Sequence, residues 1–290
     1  MNAALALALS SSLCFGVALI TSRIGLHSLD ARSGAAISIP TATLLLALAA
    51  PFAFDVAGFT LQAALCFAAV GVFFPALVTL LTFASNEQLG PTITSAVSGT
   101  APLFALLAAG VLLGEKIPPQ AALACVAIVA GVAMLTWKQA DVRPGFTGWA
   151  LLWPIAGAVV RGLAQAGAKA GLALWPNPLA ASLIGYAVSS AVVSGTNALG
   201  RSQRPALTRR GLGWFVLTGA LNGGAVLLMY GALSIAPVSF VAPVVATYPL
   251  VTALLSAVLL REEALTRRMV AGVATMVLGV VYLTLSRTGV

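Results

Sequence analysis

Short polar connections divide this chain into apolar stretches of about 20 residues, the length a helix needs to cross the hydrocarbon core of a bilayer. About ten such spans can be read: Ala3–Ser22, Gly34–Ala53, Phe59–Phe83, Pro91–Leu113, Gln120–Trp137, Trp149–Ala168, Leu179–Leu199, Gly211–Leu233, Pro237–Leu260 and Arg268–Leu285. Lipid offers no partner to a backbone amide, so spans of this kind fold as helices. Charged residues are 8% of the 290, against roughly 25% in a soluble domain. The connections average under about ten residues, which leaves no room for a soluble domain. The expected fold is an all-α integral membrane protein, with its chemistry inside the spans or at their ends.

The formal charge of +8 does not point to nucleic acid, because the bases lie singly or in short groups between spans. Arg23, Arg32, Lys138, Arg143, Arg201, Arg204, Arg209, Arg210, Arg261, Arg267 and Arg268 fall in or beside odd-numbered connections; Lys116, Lys169 and Arg287 fall on the other side. The positive-inside rule then places the odd connections in the cytoplasm and both termini outside. Only Met1 and Asn2 precede the first apolar run, and Leu13 before Cys14 is the wrong context for lipoprotein processing, so a cleavable leader is not expected. Cys14, Cys66 and Cys125 sit in apolar runs as packing residues. Trp137, Trp149, Trp175 and Trp214 stand near span ends, as headgroup anchors do.

The halves resemble each other. "APLFALLAAGVLLGEK" from Ala101 parallels "YPLVTALLSAVLLREE" from Tyr248, which pairs Pro102 with Pro249 and Glu115 with Glu262 at an offset of 147. Pro91 pairs with Pro237 and Arg23 with Lys169 at 146, and Gly131 with Gly279 at 148. A unit of five spans is odd, so its second copy must enter the membrane in the opposite direction. Residues 1–143 are expected to form the first five-helix repeat and 144–290 the second, inverted one, with a substrate site between them near the midplane.

These motifs resemble the ten-helix branch of the drug/metabolite transporter superfamily, the EamA-like transporters. The likeness rests on a mid-helix Pro-Leu followed by Leu-Leu-Gly-Glu (Pro102–Glu115) and its second copy (Pro249–Glu262). A Gly-bearing helix follows in each half, and a basic residue closes the first helix of each. It covers essentially the whole chain and is nearest to bacterial exporters of amino acids, aromatic ones especially. The resemblance implies a central cavity lined by helices one, three, four, six, eight and nine, with five and ten peripheral. It implies a small-molecule substrate, an inner-membrane location and, against the charge count, cytoplasmic termini.

The seven acids, Asp30, Asp55, Glu87, Glu115, Asp141, Glu262 and Glu263, all fall at span ends or in connections. An exporter that exchanges organic cations for protons needs a carboxylate at mid-depth, so a neutral or zwitterionic substrate is favoured. His27 lies in the first connection. Arg161 is the exception: it lies inside the sixth span, where insertion costs roughly 2.5–3.5 kcal/mol, as a carboxylate partner or gate, or else snorkelling. Pro40, Pro75, Pro102, Pro154, Pro243 and Pro249 interrupt spans. Pro102 and Pro249 free the carbonyls of Ser98 and Val245, to hold an ammonium group or to hinge the helix. Ser95, Ser98, Thr100 and Asn222 supply polar groups, and Phe74, Trp153, Tyr230 and Tyr248 an aromatic wall. Arg23, Pro102, Lys169 and Pro249 are gating or hinge candidates. "GAKAG" (Gly167–Gly171), "GALNG" (Gly219–Gly223) and the pair Gly272 and Gly279 allow close helix approach.

The functional expectation is export of amino acids by alternating access, as a monomer with the bilayer and the substrate as partners and without cofactor, metal or nucleic acid. Export of other drugs or metabolites is the alternative. An intramembrane enzyme would need acids, His or Cys gathered at one depth, and a non-transporting subunit would have a dry core. Alkaline phosphatase joined after Val290 is expected to be active and a fluorescent protein there dark; the reverse pattern overturns the charge reading.

Overall fold

The computed structural model describes residues 2–53, 55–136, 148–199, 208–260 and 267–288, and every regular element among them is helical. The chain runs through α1 (Asn2–Gly25), α2 (Ala31–Ala53), α3 (Leu61–Phe73), α4 (Ala76–Ser98), α5 (Ala101–Leu113) and α6 (Pro119–Thr136). After a short 3₁₀ turn come α7 (Leu152–Leu174), α8 (Pro178–Leu199), α9 (Arg209–Ile235), α10 (Val238–Val245), α11 (Tyr248–Leu255) and α12 (Arg267–Thr288). Trp137 and the expected boundary between residues 143 and 144 lie outside the described residues.

Seven helical stretches among the described residues are long and apolar enough to cross a membrane, and one of them, Leu61–Leu113, is 53 residues long. That one is two passes. Gly90 leaves the helix at φ 80° and ψ 172°, a backbone only glycine adopts readily, and Pro91 restarts it. The Ser85 and Thr94 hydroxyls then meet at 2.8 Å; in one continuous helix nine residues would span about 13 Å. With the shorter apolar helices Pro119–Met134 and Ala274–Ser286, the described chain makes ten passes. Pass three is α3 with α4 up to Leu89, pass four runs from Pro91 through α5, and pass nine is α10 with α11.

Helix starts repeat between the halves. Asp30 accepts from the Ser33 amide, and Asn177, 147 positions later, accepts from the Ala180 amide. Thr60 accepts from Ala63 and Thr208, 148 positions later, from Gly211. Each side-chain oxygen satisfies an amide that has no partner in the first turn.

The packing shows the pseudo-two-fold relation directly. Thr43 on α2 and Ser190 on α8 are repeat mates, 147 apart, and their hydroxyls meet at 2.8 Å. A residue can touch its own mate only on the symmetry axis. At the far side of the bundle α6 and α12 pack reciprocally. A Cβ on Gly131 would lie 2.6 Å from Met276 Cγ, and one on its mate Gly279 would lie 3.1 Å from Ile128 Cγ1. Gly16 and Gly162, 146 apart, do the same for α1 against α11 and for α7 against α5. An added Cβ would sit 2.5 Å from Val251 Cβ in the first case and 2.7 Å from the Ala105 amide nitrogen in the second. Without a hydrophobic driving force between helices in lipid, such backbone approach supplies the contact that holds them.

Trp175 departs from the headgroup-anchor expectation. It is buried, its indole N–H donates to the Ala57 carbonyl at 3.1 Å, and its ring meets Phe59 edge-to-face and Phe67 at a tilt. With Asn177, whose amide donates to the Asp55 carbonyl, it staples the connection after α2 to the connection after α7. Trp149, at 79% exposure, keeps the position expected of an anchor.

Gly162→Leu is expected to wedge α7 from α5. The backbone there cannot yield as a side chain can, so a loss of about 1–3 kcal/mol or more follows. The readout is a lower thermal midpoint in detergent, while Gly213→Leu, where a Cβ meets nothing within 4 Å, leaves it unchanged.

Candidate functional site

Three passes break where the halves meet. Pass four ends one helix at Ser98 and begins the next at Ala101; pass nine ends one at Val245 and begins the next at Tyr248. Pro102 and Pro249 occupy the first turn of the new half-helix, where the missing N–H costs nothing. The expected kinks are thus present and repeat-related: Gly99–Thr100 and Ala246–Thr247 keep right-handed backbone and tighten into turns with i→i−3 hydrogen bonds. Pass three breaks between α3 and α4 at Phe74 and Pro75. Such breaks are tolerated at membrane depth only where protein or a cavity receives the loosened backbone.

A hollow lies beside the breaks. Its walls are Phe15, Ala18 and Leu19 of α1; Phe74, Pro75, Val78, Thr79, Thr82 and Phe83 of pass three; Thr94, Ser95 and Ser98 of pass four; Arg161 of α7; Tyr186 of α8; Asn222 and Val226 of α9; and Tyr248 of pass nine. The six passes expected to line it all do, and pass seven adds Tyr186. The room left for water is about 30 Å³, enough for one or two molecules and too little for an amino acid.

Arg161 dominates this hollow. It is 8% exposed, with its guanidinium carbon 5.0 Å from the Phe15 ring centroid and 5.7 Å from that of Tyr248. Its Nε makes no hydrogen bond, nor do Ser98 Oγ and Tyr248 Oη of the same walls. Cation–π contact recovers about 0.5–2 kcal/mol, less than the several kcal/mol that burying an unpaired ion costs. The side chain does not snorkel; it is held inside the bundle. No acid among the described residues lines the hollow.

Of the nine residues expected to bind substrate, Phe74, Ser95, Ser98, Arg161, Asn222 and Tyr248 come together here. Three do not. Thr100 turns its hydroxyl back to the Val97 carbonyl at 2.7 Å. Trp153 is 43% exposed on the outside of the bundle, in the first turn of α7, about 12 Å along the helix from Arg161 and roughly 80° around it. Tyr230 is buried in the packed core, about two turns beyond Asn222 on α9. Sequence reasoning missed Phe15, Thr79, Thr82, Phe83, Thr94 and Tyr186. Only Phe15 had a legible signal: it stands 146 positions before Arg161 and is its repeat mate.

The family model of the EamA-like transporters matches residues 2–137 and again residues 148–285. The chain belongs to the EamA-like transporter family. A solved crystal structure of another protein superposes with a TM-score of 0.78 over 98% of this chain and 97% of that one, at 15% identity, a likeness of fold alone. No curated protein matches. The two matched segments are the two halves whose packing is reciprocal above, so the family unit is the five-pass repeat.

In this EamA-like chain the four gating or hinge candidates have defined places. Arg23 donates from Nη1 to the carbonyls of Asn86 and Glu87, where pass three ends, and Lys169 donates from Nζ to those of Leu233 (2.7 Å) and Ala236 (3.0 Å), where pass eight ends. Each basic residue thus caps the C-terminus of the neighbouring pass, satisfying carbonyls and the negative end of the helix dipole. Glu115 works from the other sign. Its carboxylate accepts from the amides of Val238 and Ser239 and from the Ser239 hydroxyl, capping the start of α10. Glu115 and Lys169 border a groove of about 530 Å³ at that end of the bundle. Glu262, the repeat mate of Glu115, lies outside the described residues.

Lys169→Ala is expected to cost about 1–2 kcal/mol through the two lost charge-assisted bonds. Thermal unfolding of the purified protein checks it, with Lys169→Arg keeping most of the loss in hand.

Proposed function

We propose that this chain is a secondary transporter that exports amino acids, aromatic ones among them, and related small metabolites by alternating access across a bacterial inner membrane. One observation carries the reading: a hollow on the axis between two inverted repeats, walled by aromatic rings, hydroxyls and one unpaired cation, at the points where passes three, four and nine are broken. Inverted halves have two equivalent packings, so the access that one half closes the other opens. The hollow is contracted in the structure, and expansion has to come from movement of the half-helices about Gly99–Thr100 and Ala246–Thr247. Arg23 on one face and Glu115 with Lys169 on the other are the contacts such a movement must strain or release, which is the gating role proposed for them.

The aromatic walls suit an aromatic or large apolar side chain, and the hydroxyls and Asn222 suit the polar end of an amino acid. The small metabolite with the same amphipathic shape belongs to the same substrate range. A non-transporting subunit is disfavoured by the buried, unpartnered polar groups, which a packed structural core does not retain. The Lys and Arg distribution supports odd connections in the cytoplasm and termini on the outer side.

Purified protein in liposomes preloaded with unlabelled phenylalanine is expected to accumulate labelled phenylalanine by counterflow, and an imposed proton gradient leaves the rate unchanged. Failure of every amino acid in a full panel to exchange overturns the assignment. A rate that rises severalfold with the gradient overturns the uncoupled mode.

A further inference from the structure

We infer that the feature this transporter recognises is a single carboxylate held by Arg161, and that the amino group of an amino acid is dispensable, so that its substrate class is the amphipathic organic monocarboxylate. The inference rests on the transport reading above and narrows it.

The first ground is charge. Arg161 is more than nine-tenths buried, its Nε has no hydrogen-bond partner, and no ion pair or hydrogen bond joins it to any described residue. A planar guanidinium in that condition is a bidentate receptor for a carboxylate. The buried hydroxyls of Ser98 and Tyr248, neighbours in the same walls, can donate to the same group. An ammonium entering the hollow finds no acid among the described lining residues, only neutral acceptors. Desolvation of that ammonium is therefore poorly repaid, while desolvation of the carboxylate is met by full opposite charge.

The second ground is symmetry. Arg161 lies over the ring of Phe15, its own repeat mate. Mates in contact lie on the axis, as Thr43 and Ser190 do. At the centre of the hollow one half thus presents a cation and the other an aromatic ring. A ligand seated there meets unlike walls and must itself be two-ended, anionic at one end and apolar at the other.

The test is competition against labelled phenylalanine counterflow, with 3-phenylpropionate (amine removed), phenethylamine (carboxylate removed) and phenylalaninamide (carboxylate neutralised), together with the thermal midpoint of the detergent-solubilised protein in each compound. Expected is inhibition by 3-phenylpropionate within about threefold of unlabelled phenylalanine, and inhibition by the amine and amide weaker by about tenfold or more. Only the carboxylates raise the midpoint. Arg161→Gln is expected to lose that stabilisation and at least about tenfold of the flux, with Arg161→Lys intermediate. If Arg161→Gln does not fold, the ligand panel on the unaltered protein decides alone. Phenylalanine exchange that phenethylamine inhibits as well as 3-phenylpropionate does, or that Arg161→Gln leaves intact, overturns the inference. So does exchange that 3-phenylpropionate fails to inhibit, although the amino-acid reading then survives. Selective stabilisation by 3-phenylpropionate without exchange of any amino acid in the panel upholds the carboxylate site and overturns the amino-acid reading. Equal stabilisation by chloride alone assigns Arg161 to inorganic anions and overturns the organic class.

Discussion

Everything in this molecule follows from the refusal of hydrocarbon to solvate a backbone amide. A continuous helix meets that condition by itself, and most passes do so. A broken helix cannot, and passes three, four and nine are broken in the interior of the bundle. Their breaks persist because they face a polar hollow and because proline at the start of each new segment in passes four and nine has no amide to lose. The same condition explains the ends. Asp30, Thr60, Asn177 and Thr208 cap helix starts, Arg23 and Lys169 cap helix finishes, and Glu115 caps the first half of pass nine. Asp30, Glu115, Arg23 and Lys169 thus spend their charges on backbone that lipid would leave unsatisfied.

Close approach replaces the hydrophobic effect as the force between helices. The glycine pairs Gly16 with Gly162 and Gly131 with Gly279 bring backbones together in both halves at equivalent places. Duplication copied the contacts that hold the bundle, and these stayed alike because each copy meets the same steric demand. The hollow was under a different demand. Phe15 and Arg161 diverged at equivalent positions, as did Pro75 and Asn222, which are 147 apart. Symmetry is kept where packing requires it and lost where a ligand would be read, which gives two identical frames an unlike pair of walls.

The large features were legible in the residues because each rests on a local physical rule. Span length gave the passes, the odd number of spans in each unit gave the inversion, and the offsets of Pro102, Glu115 and Gly131 gave the repeat. Arg161 was legible because charge inside a span is costly. Thr100, Trp153 and Tyr230 went astray because a helix turns its side chains through 100° per residue, so neighbouring polar or aromatic residues point to different surroundings. Trp175 was taken for a headgroup anchor because its neighbour across the fold, the connection holding Asp55 and Ala57, is 118 or more residues away. Thr79, Thr94 and Tyr186 look like ordinary span residues, and nothing nearby in the chain marks the face they present.

Composition and periodicity by themselves determined that the chain is helical, lies in lipid, is built twice and inverts its second copy, since those properties follow from lengths, offsets and parity. The tertiary structure decided which faces look inward, where the kinks tighten into turns, that Arg23, Lys169 and Glu115 bind helix ends, and that Arg161 stands over its own repeat mate. The physical reason is that a contact between residues about 146 apart depends on how five passes rotate against five others. That rotation is set by the sum of many close packings and by no single stretch of sequence.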